Sequence, residues 1–196
     1  MSETCNQIAN DIIRDCLNLP VRGQKNRVIV IPRRIIDSIT YNSDNHLIIE
    51  AISLASGTRA FEYVGDSTML NTNIAKVADE FGTGYMHMLP FKIFGNTPTI
   101  KKELEALSEE VDGVLCIIEQ NYKGTVTVPN AKWVVLGKDA GLRPTVLEDT
   151  EGRNIYSITL GSVDGYPEPH LPANVYLTSE TVTDALVEAL LEAQSA

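Results

Sequence analysis

The stretch Asn96–Gln120, NTPTIKKELEALSEEVDGVLCIIEQ, decides the fold. Thr97 is placed to cap a helix, and Pro98 falls where the first helical residue belongs. Ile100, Leu104, Leu107 and Val111 recur at helical spacing and form one apolar stripe. Lys101, Lys102, Glu103, Glu105, Glu109 and Glu110 take the other side. Asp112-Gly113 ends the helix, and Val114–Ile118 is an apolar run of strand length. A helix with one apolar face needs a sheet to lie on, and most of the remaining chain reads as sheet.

Upstream, residues 2–17 have Cys5, Ile8, Ile12 and Cys16 on one helical face. The basic, turn-rich segment 18–26 reads as an arm. Strands are expected at Arg27–Ile31, ended by Pro32, and at Ile35–Thr40. A hairpin spans Tyr41–Ile52, and Thr58–Val64 alternates as a strand. Residues 65–81 leave helix and strand undecided. Tyr85–Phe94 is the longest strand candidate, with Pro90 pointing to an edge or a bulge.

Downstream, residues 121–130 read as a hairpin tip or long loop. Lys132–Leu136 is a strand, and Arg143–Leu147 and Asn154–Leu160 pair around the acidic turn 148–152. Ser162–Pro172 is extended and proline-rich. Ser179 caps an amphipathic helix to Ala193, with Val182, Leu186, Leu190 and Ala193 as its apolar stripe. Strands without regular helices between them argue against a parallel sheet. The expected fold is mostly β (α+β). It has an antiparallel sandwich or barrel-like core, one helix at about 98–110 packed on the sheet, and amphipathic terminal helices. The expected units are an N-terminal helix and arm (1–26), a β-rich core (27–178) and a C-terminal helix (179–196).

A formal charge of −10 over 196 residues argues against phosphate-neutralising nucleic-acid binding and against adhesion to an anionic membrane. No apolar run approaches the ~20 residues of a membrane helix. Three cysteines without a C-x-x-C pair fit free thiols in a reducing compartment. Residues 1–41 hold six basic and four acidic groups, so the rest of the chain carries −12.

Chemistry-bearing motifs give way to simpler readings. Gly137-Lys138 is followed by Asp139 where a Walker A loop needs Ser or Thr, and Gly82-x-Gly84 lacks the rest of a dinucleotide fingerprint. His46, His87 and His170 have no ligand at helical spacing, which favours structural histidines over a metal site. Cys116 belongs to a buried strand, and the pairs Glu109-Glu110 and Glu148-Asp149 belong to a helix exterior and a turn. No catalytic, cofactor-binding or metal residue is assigned. The last helix carries Glu180, Asp184 and Glu188 in one row. Like charges at that spacing oppose a helix unless the row stays in water or meets a basic partner. The basic candidates are Arg22, Arg33 and Arg34, on this or a neighbouring copy.

The order of segments Tyr85–Met88, Phe91–Asn96, Pro98–Leu107, Val114–Glu119, Asn121–Gly124, Trp133–Gly137, Asp139–Leu142, Tyr156–Leu160 and Pro167–Pro172 resembles tailed-bacteriophage tail-tube proteins across residues 27–172. That resemblance implies a non-enzymatic virion protein built as a β-sandwich flanked by a helix. It implies partnership with itself in six-membered rings that stack into a tube, and with other tail proteins. It also implies an acidic lumen through which DNA passes transiently, assembly in the host cytoplasm, and no membrane partner or cofactor. Tail-tube subunits are typically bounded by loops or arms, so terminal helices depart from the pattern. A connector ring or capsid auxiliary protein, and a binding module or small enzyme, are the alternatives.

Overall fold

A computed structural model describes residues 20–64, 72–79, 82–95, 97–122, 132–149 and 155–193. The expected helix at 2–17, residues 65–71, 80 and 81 of the undecided segment, and residues 123–130 of the expected hairpin tip or long loop lie outside the described residues. The chain is mostly β, with eleven strands in two sheets and two α-helices among those residues. The strands are β1 (Pro20–Pro32), β2 (Ile36–Tyr41), β3 (Ile48–Leu54), β4 (Phe61–Val64), β5 (Asn73–Asp79), β6 (Gly82–Phe94), β7 (Val114–Tyr122), β8 (Trp133–Leu136), β9 (Arg143–Asp149), β10 (Ile155–Gly161) and β11 (Ala173–Val175). The helices are α1 (Pro98–Ser108) and α2 (Glu180–Ala189).

The central sheet runs β2-β3-β11-β8-β7-β1-β4, and the smaller sheet runs β5-β6-β10-β9. Neither closes into a barrel. All pairings are antiparallel except β11 with β3, where Asn174 meets Ile48. The central sheet is buried on both faces, which is why its middle strands read as continuous apolar runs. Val28, Val30, Val114, Cys116, Ile118, Val134 and Leu136 face the smaller sheet and α1. Ile29, Ile31, Leu115, Ile117, Trp133 and Val135 face the other way, toward α2.

Helix α1 forms as its sequence dictates. The Thr97 hydroxyl accepts from Ile100 N, Pro98 occupies the first turn, and Leu104 and Leu107 are buried with Ile100 packed beside them. The helix stops at Ser108, one turn short of Val111, which is 74% exposed. The residues after it turn instead at Gly113, whose φ is +75° and whose added Cβ would stand 3.0 Å from Leu142 O.

Three expectations change. The segment expected as an arm enters the sheet, because β1 begins at Pro20 and the boundary at residue 26 falls inside it. Its turn-forming residues are absorbed as register shifts on either side of Gln24, which donates to Thr72 at 2.8 Å. The undecided segment before Phe81 is a strand, β5, paired with β6 from Asn73↔Met88 to Asp79↔Gly82. Pro90 sits in a strand with neighbours on both sides. Among the described residues Pro90 is paired with Thr159 of β10, and the described part of β5 ends opposite Met88.

Candidate functional site

Two polar assemblies and a pair of sheet edges stand out among the described residues. The first assembly fastens α2. Ser179 caps the helix, accepting from Val182 N. The buried face is Thr183 and Val187 with Leu190 just beyond, flanked by Leu186 and Leu191, while Val182 is 43% exposed. The seated face is thus rotated by about one residue from the expected stripe. The rotation brings the acidic row down onto the sheet. Lys132 Nζ lies 2.7 Å from both carboxylate oxygens of Asp184 and 3.7 Å from Glu180. Trp133 Nε1 donates to Asp184 Oδ1 at 2.7 Å. Arg27 grips Glu188 with two parallel bonds of 2.5 and 2.8 Å, and its Nε also meets Glu62 of β4.

Both cations stand near the Trp133 indole, 5.8 Å (Arg27) and 5.6 Å (Lys132) from its ring centroid. Bonding to Glu188 raises the Arg27 guanidinium above its ordinary value, and the same contact lowers the Glu188 carboxyl. Burial works against the Lys132 charge, but Asp184 outweighs it and the ammonium is raised.

Within one chain the row Glu180, Asp184 and Glu188 does not bond Arg33 or Arg34, and the Glu180 and Glu188 side chains stay 58% and 51% exposed. It is satisfied by Arg27 and Lys132 of its own chain. Arg22 lies on β1. Arg33 and Arg34 form a 3-10 turn with Ile35 just after β1, where Arg33 donates to the Asp139 carbonyl and Arg34 Nε bonds Glu110 at 3.0 Å. They line an open depression of about 400 Å³ with Asp112, Asp139, Ala140 and Arg143, away from α2. Lys132 was missed because it opens a strand whose apolar residues dominate the reading. Alternation would place Lys132 with Val134 and Leu136, on the face away from α2, so the strand pattern carried no signal for it.

The second assembly gathers the three histidines that the sequence keeps far apart. His87 points into the core from β6, on the same face as Leu89 and Phe91. Its Nδ1 accepts from Gly137 N (3.4 Å), and its Nε2 lies 3.1 Å from the His170 carbonyl. Only the Nε2–H tautomer satisfies both contacts. Burial pushes His87 down to about 4. The His170 ring stands 4.6 Å from His46, and its Nδ1 lies 3.1 Å from Asp139 Oδ2. Lys138 Nζ lies 2.6 Å from the same Asp139 oxygen and 5.2 Å from the Tyr41 ring centroid. Burial opposes the Asp139 charge, yet Lys138 and His170 hold its carboxyl below the ordinary value.

Glu168, fully buried, accepts from three successive backbone amides, Asp139, Ala140 and Gly141, at 2.9 to 3.0 Å. Burial raises its carboxyl against those donors. These groups spend their bonds on one another, tying the loop 162–172 to the turn 137–142. No trio of His, Cys, Asp or Glu arranged to hold a metal ion occurs among the described residues. Cys116 is fully buried and its thiol is pushed up by burial, as fits a core side chain.

The edges are those of the smaller sheet, whose outermost strands have no outer strand partner among the described residues. β5 and β9 are its terminal strands. β5 exposes Ile74, Ala75, Lys76 and Ala78, and β9 is exposed along Thr145–Asp149. The sheet's outer face is formed by cross-strand rows that include Met88, Pro90 with Thr159 and Val146, and Lys92 with Ser157 and Glu148.

Comparison of the chain with protein-family models, curated proteins and solved structures returned no match.

Proposed function

We propose that this chain is a structural subunit that assembles with copies of itself into rings, in the manner of a phage tail tube. The observation that carries the reading is the four-stranded sheet whose outermost strands, β5 and β9, have no outer strand partner among the described residues and differ in character. An exposed edge with several apolar residues and little charge is a template for pairing. β5 offers such an edge, with Lys76 at its middle, and β9 ends in Glu148 and Asp149. Edge β5 of one copy meeting edge β9 of the next is a heterologous contact, which generates a ring when the rotation closes. Six copies, stacking into a tube within a virion tail, and other tail proteins as further partners follow from the resemblance. The outer face balances Lys92 against Glu148, so the acidity expected of a DNA-conducting lumen has its source elsewhere on the subunit.

The purified full chain, viewed by negative-stain electron microscopy, is expected to show rings or tubes. Ile74→Lys with Ala78→Lys adds charge to the β5 edge and should abolish them without unfolding the protein. A monomer at high concentration in light scattering, from the unaltered chain, would refute the proposal.

A further inference from the structure

α2 reaches the central sheet from β11 through a linker of four residues, 176–179. Thr178 in that linker has a φ of +44°, the only non-glycine at positive φ among the described residues. For a β-branched side chain this backbone is a true outlier. The Ser179 N–H turns back onto Leu177 O across Thr178. That is a three-residue γ-turn, and its positive-φ form is rare and strained. Such strain persists only where neighbours enforce it. Here the Thr183 hydroxyl does so, accepting from Leu177 N at 2.9 Å and standing 2.8 Å from Ser179 O.

α2 is held by apolar burial and by charge together. Its buried apolar side chains are Val187 and Leu190, with Leu186 and Leu191 partly covered. Around them stand Asp184 on Lys132 and Glu188 on Arg27. Nothing in that grip requires helix and sheet to belong to one molecule, because a second copy offers the same Arg27, Lys132 and Trp133. A short connector under strain is the arrangement that invites exchange.

We propose that α2 exchanges between copies of this chain. The helix of one copy seats on the central sheet of another, its acidic row on Arg27 and Lys132, and the turn at 176–179 opens into an extended connector. The inference stands apart from the ring reading, since it uses the opposite face of the molecule from the smaller sheet.

Paired charge reversal tests it. One full-length variant carries Arg27→Glu and Lys132→Glu, and a second carries Asp184→Lys and Glu188→Lys. In either alone, helix and sheet repel, whether closed or exchanged with its own kind. In the mixture each helix finds a complementary sheet only on the other variant. Native mass spectrometry of the two refolded together should show the one-to-one heterodimer in clear excess over the statistical mixture that edge pairing alone would give. A statistical mixture, or two separate monomers, overturns the proposal.

A second measurement keeps the native charges. Thr178→Gly accepts positive φ and relieves the turn, whereas Thr178→Pro forbids it. The exchanged dimer, measured by light scattering, should fall roughly tenfold in the glycine variant for strain of this order. It should rise in the proline variant. Equal dimer fractions in all three proteins would overturn the inference.

Discussion

The indole N–H of Trp133, on the central sheet, is bonded to the carboxylate of Asp184, on the helix that covers it, at 2.7 Å. Trp133 is only 2% exposed, so an unanswered indole N–H there is costly. Asp184→Ala should lower stability by about 1.5–3 kcal/mol, the range for a bond to a charged group. Asp184→Asn retains an acceptor and should lose less. Urea titration measures both. Since Trp133 is the only tryptophan, its emission in the native state should shift to the red in the alanine variant.

Acid should weaken the protein before its carboxylates titrate. His87 is neutral in the fold down to about 4 and regains its ordinary value of 6.5 on unfolding. Between those values the unfolded chain binds more protons, so stability rises with pH and is lost as pH falls from 6.5 to 4. The full loss is about 3 kcal/mol at 1.36 kcal/mol per unit. Glu168, raised by burial, works with the opposite sign, and Asp139, lowered by Lys138, acts only below its ordinary value of 3.8. His87→Gln should therefore flatten the stability profile between pH 4 and 6.5. An unchanged slope in thermal melts across that window would remove His87 as its source.

Two glycines with similar backbones should respond differently to alanine. Gly137 has φ +72°, and a Cβ would stand 2.9 Å from Val114 O and 2.7 Å from Leu142 Cγ. Gly57 has φ +76° with nothing within 4 Å. Gly57→Ala should cost only the backbone strain, about 1 kcal/mol. Gly137→Ala adds a collision in the core and should exceed about 3 kcal/mol. Equal losses on chemical denaturation would contradict the tight turn at Gly137.

The stripe of α1 divides at Ser108. Leu104→Ala, in the core between the sheets, should cost about 2–4 kcal/mol. Val111→Ala, beyond the helix end and exposed, should change stability by less than about 0.5 kcal/mol. A large loss at Val111 would mean that the helix continues past Ser108.

What was legible in the sequence was local. Thr97 and Pro98 set the start of α1, and Ser179 that of α2, because a cap acts within one turn. The hairpin β2–β3 was readable since it joins neighbours across a short polar turn, and β9 and β10 pair as neighbours in the chain. The rest depended on contacts that no window of sequence contains. β5 is a strand because β6 lies beside it, whereas Ile74–Ala78 alone suits either state. The seated face of α2 turned by one residue because Arg27 and Lys132, more than fifty residues away in sequence, attract its acidic row. His46, His87 and His170 meet only after β6 and the loop before β11 are in place. His87 could still have been marked as core-facing, since it alternates with Leu89 and Phe91.

β11 lies between β3 and β8 in the central sheet, although it follows both in the chain. Without Ala173–Val175, the β2–β3 hairpin has no strand joining it to β8, β7, β1 and β4. A chain truncated before Ala173 would present two raw sheet edges where the finished protein has none, and α2 would be missing from the same face. Residues 173–189 thus decide whether the central sheet is one continuous layer covered by α2 or two pieces with exposed edges.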